Sequence, residues 1–201
     1  MKRRPFIFCT IVALAIAITG FAFILGSNKA GTGTTIDTYK SENAPHASWI
    51  GGSLNFDDLI KSSDVIITGR VIGSTPEQRF DLIFTRQEVS ANSIYKGEVK
   101  EGESVIILQT GGRLGEMETR PFQEAPLLVE KSDYLLFLEY TPEGYYLIMG
   151  GFQGVARIIN NELEFNVSDD YIANELYGMS YSDVTSIMQS KLEPNITISI
   201  D

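Results

Sequence analysis

The 201-residue sequence predicts a mainly β domain with short peripheral helices, preceded by an N-terminal transmembrane helix. Three observations predict it. Short runs rich in β-branched and aromatic residues follow one another with turn residues between them. No part of the chain alternates strand with helix in the βαβ manner, which excludes a Rossmann or barrel α/β enzyme fold. The chain also opens on the basic MKRR and then runs from Pro5 to Gly26, 22 residues, without a charged side chain.

At about 1.5 Å per helical residue that run spans roughly the 30 Å hydrocarbon layer of a bilayer. The basic flank would stay in the cytoplasm and send the rest of the chain across. Residues 1–30 are therefore expected to be a signal anchor, or a signal peptide if the chain is cut near SNKA (27–30). The expected topology is single-pass in the cell membrane, touching the lipid bilayer through residues 5–26, with the C-terminal domain outside the cytoplasm; cleavage would make it secreted. Residues 31–53, rich in Gly, Ser and Thr, read as a flexible linker.

Of the 16 Lys+Arg, 12 lie beyond Ala30, against all 26 Asp+Glu, leaving the outer part near −14. A nucleic-acid partner would need a basic face to displace phosphate counterions, so that class is excluded. The single cysteine, Cys9, falls in the apolar run, so the outer domain has no thiol nucleophile, disulfide or thiolate metal site.

The elements follow in order. NFDDLIKSS (55–63) predicts a short helix capped by Asn55 with Asp58, burying Phe56, Leu59 and Ile60. DVIITGRVIG (64–73) reads as a strand. RFDLIFTRQEVSANSIYKG (79–97) reads as a long strand with Phe80, Leu82 and Phe84 on one face and a bulge near Ser90–Asn92. ESVIILQTGG (103–112) is the next strand, followed by a long excursion over 113–132. DYLLFLEY (133–140), the turn TPEG (141–144) and YYLIMG (145–150) predict a hairpin. GVARII (154–159) and ELEFNV (162–167), joined at Asn160–Asn161, predict a second. After residue 168 the pattern turns helical, with caps at DDYIANELYG (169–178) and at Ser180 with Asp183. The resulting organisation is a β-domain over 54–167 and a helical extension with a C-terminal tail over 168–201.

GGFQG (150–154) lacks the Lys-Ser or Lys-Thr of a P-loop and the spacing of GxGxxG, and VARII after it reads as strand rather than helix. Its glycines are expected to join two strands. TGGRLGE (110–116) likewise ends a strand, with Arg113 available to an anion. His46, the only histidine, lies in the linker and cannot build a zinc cluster alone. Asp57–Asp58 and Asp169–Asp170 suit helix starts and lack calcium-loop spacing. Without a histidine in the domain or a G-x-S-x-G, a Ser-His-Asp triad cannot form there, and no S-x-x-K accompanies the Ser-Lys neighbours Lys61–Ser62, Lys131–Ser132 and Ser190–Lys191. No cofactor or metal is indicated. Tyr140, Tyr145, Tyr146 and Phe152 cluster around the first hairpin, either as packing or as an exposed ligand patch, and with Arg113 they make the candidate interaction surface.

The order SSDVIITGRV, a long strand ending NSIYKG, ESVIILQTGG and SDYLLFLEY resembles the netrin-like or TIMP-like module over about residues 54–159. The resemblance implies an OB-like five-stranded closed barrel with helices packed outside. It is similar to membrane-anchored or secreted proteins of Gram-positive bacteria that keep this barrel without cysteines. Animal members inhibit proteases by chelating zinc through an N-terminal cysteine, and the domain has none to carry that role. The expected function is a non-catalytic, membrane-tethered extracytoplasmic domain that binds a protein or cell-envelope component. A secreted enzyme using carboxylate acid/base chemistry and a structural protein of the envelope are the alternatives.

Overall fold

The computed structural model describes residues 55–167 and 170–193. Nine strands are described: β1 (Val65–Arg79), β2 (Leu82–Lys96), β3 (Ser104–Thr110), β4 (Gly112–Leu114), β5 (Met117–Thr119), β6 (Asp133–Tyr140), β7 (Tyr146–Ile148), β8 (Val155–Ile159) and β9 (Glu162–Glu164). Three helices accompany them: α1 (Phe56–Ser62), α2 (Tyr171–Glu175) and α3 (Tyr181–Leu192).

Five strands close on themselves in the order β1-β2-β3-β7-β6, with β6 pairing back to β1. All neighbours are antiparallel except β3 and β7, which run parallel. This is a small OB-like barrel, and closure leaves the ring without a free sheet edge. β8 and β9 extend the sheet from β6 beyond the ring.

Alternation along the strands sorts side chains into two cores. Val71, Val89, Ile107, Leu136 and Leu138 fill the barrel interior, joined by Val99 and Leu128 from the connections. Ile66, Leu135 and Phe137 point outward into a second core shared with all three helices. Helix α1 has only seven residues, too few to persist alone. It is held by burial of Phe56, Leu59 and Ile60, at about 1.5–3 kcal/mol for each large apolar side chain. Phe56 meets Phe137 edge-on at 5.8 Å, and its amide donates to Glu175 Oε2 at 2.8 Å. The Tyr95 and Tyr181 hydroxyls, 2.7 Å apart, tie α3 to β2. The helices after residue 168 thus belong to the packing of the β-domain.

Capping follows the predicted residues. Asn55 accepts from the Asp58 amide at 2.9 Å, Asp170 caps α2, and Ser180 with Asp183 forms a reciprocal box on α3. Asn160 and Asn161 both take positive φ, 50° and 67°, as a two-residue hairpin turn requires.

Several expectations are corrected. Burial along β2 falls on Ile83, Thr85, Gln87 and Val89, so the Phe80–Leu82–Phe84 phase is the outer one; Phe80 is 94% exposed at the tip of the β1–β2 hairpin. β1 also runs on to Arg79, well past Gly73. The excursion over 113–132 contains the β4–β5 hairpin, and then a coil crosses the barrel, burying Ala125 and Leu128. Interior glutamines hold that coil: Gln109 accepts from the Leu128 amide at 2.9 Å and donates to Pro126 O at 3.1 Å. Gln87, 1% exposed, donates to Leu128 O at 3.3 Å.

The membrane expectations are also corrected. No helix among the described residues is long and apolar enough to cross a membrane. The longest, α3, has 12 residues, about 18 Å at 1.5 Å each, and it carries Asp183 and Lys191. The transmembrane helix, the single-pass cell-membrane topology, the bilayer contact through residues 5–26 and the tether assigned to the function are therefore withdrawn; residues 5–26, the linker and His46 lie outside the described residues.

Candidate functional site

The β6–β7 turn sets the aromatic residues. Gly144, at φ 84°, closes the turn by donating to Thr141 O at 3.0 Å, and Thr141 N–H donates to Tyr145 O at 2.8 Å. The Tyr140 amide is fixed by Asp64 Oδ2 at 2.9 Å. Cross-strand register then pairs Tyr140 with Tyr146, whose rings meet edge-to-face at 5.2 Å. Both share the inward parity of Leu138 and Ile148, so they form the rim of the barrel interior, with Tyr140 53% exposed. Burial, and next the neighbouring Tyr140, push the Tyr146 hydroxyl above the usual tyrosine range.

Tyr145 has the opposite parity and lies against two arginines from the β1–β2 hairpin. The Arg79 guanidinium carbon sits 4.5 Å from the ring centroid and that of Arg86 5.7 Å away. Both distances lie within cation–π reach. Glu77 lies between the arginines: Oε1 accepts from Arg79 Nε at 2.5 Å, while Oε2 stands 3.9 Å from Arg86 Nε. Arg86 Nε is buried and has no hydrogen-bond partner. Burial pulls the Arg79 guanidinium down, but the hydrogen bond and charge of Glu77 outweigh it and hold Arg79 above its ordinary value. Leu147, two residues on from Tyr145, is 39% exposed.

The structure thus pairs Tyr140 with Tyr146 and turns Tyr145 to the other face, toward Arg79 and Arg86, while Phe152 and Arg113 belong to other segments. Phe152 belongs to the loop over 150–153, opposite Phe137, where its neighbour Gln153 donates to Asp170 Oδ1 at 2.7 Å beside the α2 cap. Arg113 is on the separate β4–β5 sheet and pairs with Glu118 at 3.7 Å. Sequence reasoning missed Glu77, Arg79 and Arg86. The hairpin that delivers them is distant in sequence from Tyr145, and no local pattern announces the encounter.

The GGFQG glycines join β7 to β8 as expected, by looping out. Met149 N–H donates to Phe137 O at 3.0 Å and Phe137 N–H donates to Gly154 O at 2.8 Å, so Met149 and Gly154 face the same residue. Residues 150–153 bulge away between them.

Among the described residues no three His, Cys, Asp or Glu side chains gather as metal ligands. Asp133 is held below the carboxylate range by its hydrogen bonds from Arg70, and Asp183 by those with Ser180. These are structural carboxylates, displaced in the direction opposite to a general acid. No protein-family model and no curated protein matches the chain.

Proposed function

We propose that this barrel is a binding domain whose ligand face is centred on Tyr145 with Arg79 and Arg86 of the β1–β2 hairpin, beside the Tyr140–Tyr146 rim. The stacking of Arg79 on Tyr145 at 4.5 Å carries the reading. It sets a fixed guanidinium on a half-buried aromatic ring, the pairing of residue types in which binding energy concentrates at interfaces. OB-like barrels present ligands with the face and loops that this hairpin and the β6–β7 turn occupy. Fold alone assigns no ligand; the side chains on it do.

The finer reading of the barrel as netrin-like or TIMP-like is supported by α1 ahead of β1 and by Gly97 ending the long second strand, with φ 97°. The protease-inhibitor activity of that module is not part of the proposal. Its chemistry needs a cysteine, and Cys9, the only one, lies outside the described residues.

The test is a screen of the full-length protein against immobilised acidic, basic and neutral peptides and neutral and uronate oligosaccharides. Wild type should retain a subset that Tyr145→Ala loses, with the variant folded and no more than about 1 kcal/mol less stable to urea. Retention of nothing, or equal retention by the variant, refutes the proposal.

A further inference from the structure

The charge at the binding face is unbalanced in a way that specifies its ligand. Arg79 and Arg86 present two guanidinium groups, and Glu77 is the carboxylate between them. Glu77 satisfies Arg79 and falls short of Arg86, whose buried Nε keeps an unused donor. A buried donor without an acceptor is costly, and a guanidinium is best satisfied by a carboxylate or phosphate. The Arg79–Arg86–Glu77 cluster beside Tyr145 therefore carries one net positive charge, on a chain whose formal net charge is −10, while Asp64 and Glu103 keep the neighbouring Tyr140–Tyr146 rim acidic.

We infer that Arg79, Arg86 and Tyr145 read a carboxylate on an acidic peptide segment of a protein partner, with Glu77 as the built-in competitor for the same guanidinium groups. This rests on the binding-face reading above. Glu77 itself supplies the geometric precedent, since a carboxylate already docks on Arg79 Nε. It sits on the same strand face as Arg79 and diagonally across from Arg86, which pairs with Thr75. An incoming carboxylate meets the exposed part of the Arg86 guanidinium, whose side chain is 43% exposed, or takes the Arg79 Nε donor from Glu77. Exposed Tyr140 and Leu147 give apolar area for neighbouring peptide side chains. A nucleic acid fits less well, because a regular row of phosphates calls for a matching row of cations.

The experiment measures binding of a Glu-rich decapeptide and its Gln-substituted counterpart to full-length wild type, Glu77→Gln, Arg86→Ala and Tyr145→Ala. Removing the competitor should tighten the Glu-rich peptide about two- to fivefold, the scale of a partly exposed ion pair. Arg86→Ala should weaken it about tenfold, and the Gln peptide should respond to neither change. An unchanged Glu77→Gln affinity overturns the competitor role, as does equal tightening of both peptides. If Tyr145→Ala still abolishes retention of other probes in that case, the binding face survives and only the acidic-peptide assignment falls. Binding of oligonucleotides or uronates in place of either peptide also overturns the assignment.

Discussion

Gly154 is the position where the geometry makes its sharpest demand. A Cβ there would lie 2.8 Å from Met149 O, 2.8 Å from Phe137 O and 3.0 Å from Met149 N. All three are backbone atoms, so no side chain can swing aside. Gly154→Ala must push β8 away from Phe137 and weaken the bond from Phe137 N–H to Gly154 O. Overpacking costs about 1–3 kcal/mol and a ladder hydrogen bond about 0.5–1.5, so the expected loss is about 2–4 kcal/mol. With a urea slope of about 1–3 kcal/mol/M, the midpoint should fall by about 1–2 M, read by far-UV circular dichroism. Gly102→Ala is the comparison, because nothing lies within 4 Å of its Cβ and only its φ of +79° opposes alanine. That strain costs about 1–2 kcal/mol. A Gly154→Ala midpoint equal to wild type would refute the looped-out junction opposite Phe137.

Three further outcomes follow from named contacts. Arg70 holds Asp133 through bonds of 2.9 Å and 2.5 Å and depresses its pKa, so the folded state releases this proton more readily than the unfolded chain. That stability is present above about pH 4 and lost as pH falls through the folded pKa; Asp133→Asn should flatten the acid limb of urea midpoint against pH, and an unaltered limb would contradict the pair. Burial, then the bond to Tyr181, raises Tyr95 above the tyrosine range, so its contribution is present below about pH 10 and lost at higher pH; Tyr95→Phe should remove part of the alkaline loss, and an identical alkaline profile would count against it. Gln109→Leu leaves the buried Leu128 amide without its acceptor and should cost about 1–3 kcal/mol, with amide exchange rising most in residues 120–129; uniform exchange would show that Gln109 does not anchor the crossing coil.

What the sequence made legible depended on range. Caps, turns and hairpins are short-range, so Asn55, Ser180–Asp183 and Asn160–Asn161 could be read directly. The bulge near Ser90–Asn92 was legible as a phase change: Gly69 pairs with Ala91 and Thr68 with Ser93, which leaves Asn92 over. The shared face of Phe80, Leu82 and Phe84 was legible, but not that it is the outer one, because Phe80 and Leu82 stand at a hairpin tip beyond the core. The crossing coil was invisible for a related reason, since its anchors, Gln87 and Gln109, are polar side chains in an interior expected to be apolar. The binding face was half legible: tyrosines crowded around one turn were visible, but the arginine partners of Tyr145 arrive through β3, which pairs with β2 on one side and β7 on the other. Phe152 and Arg113, grouped with the tyrosines by closeness in sequence or by chemistry, are carried to other places by the loop at Met149–Gly154 and by the β4–β5 hairpin.

The central claim is that Tyr145 and the two arginines stacked on it form a ligand face. It is tested most directly by the affinity of full-length wild type and Tyr145→Ala for the tightest-retained probe, measured alongside urea stability. Loss of one aromatic platform should weaken binding at least about tenfold, while removing the partly exposed cation–π contact costs only about 0.5–1 kcal/mol of folding stability. Equal affinities for the two proteins would contradict the account.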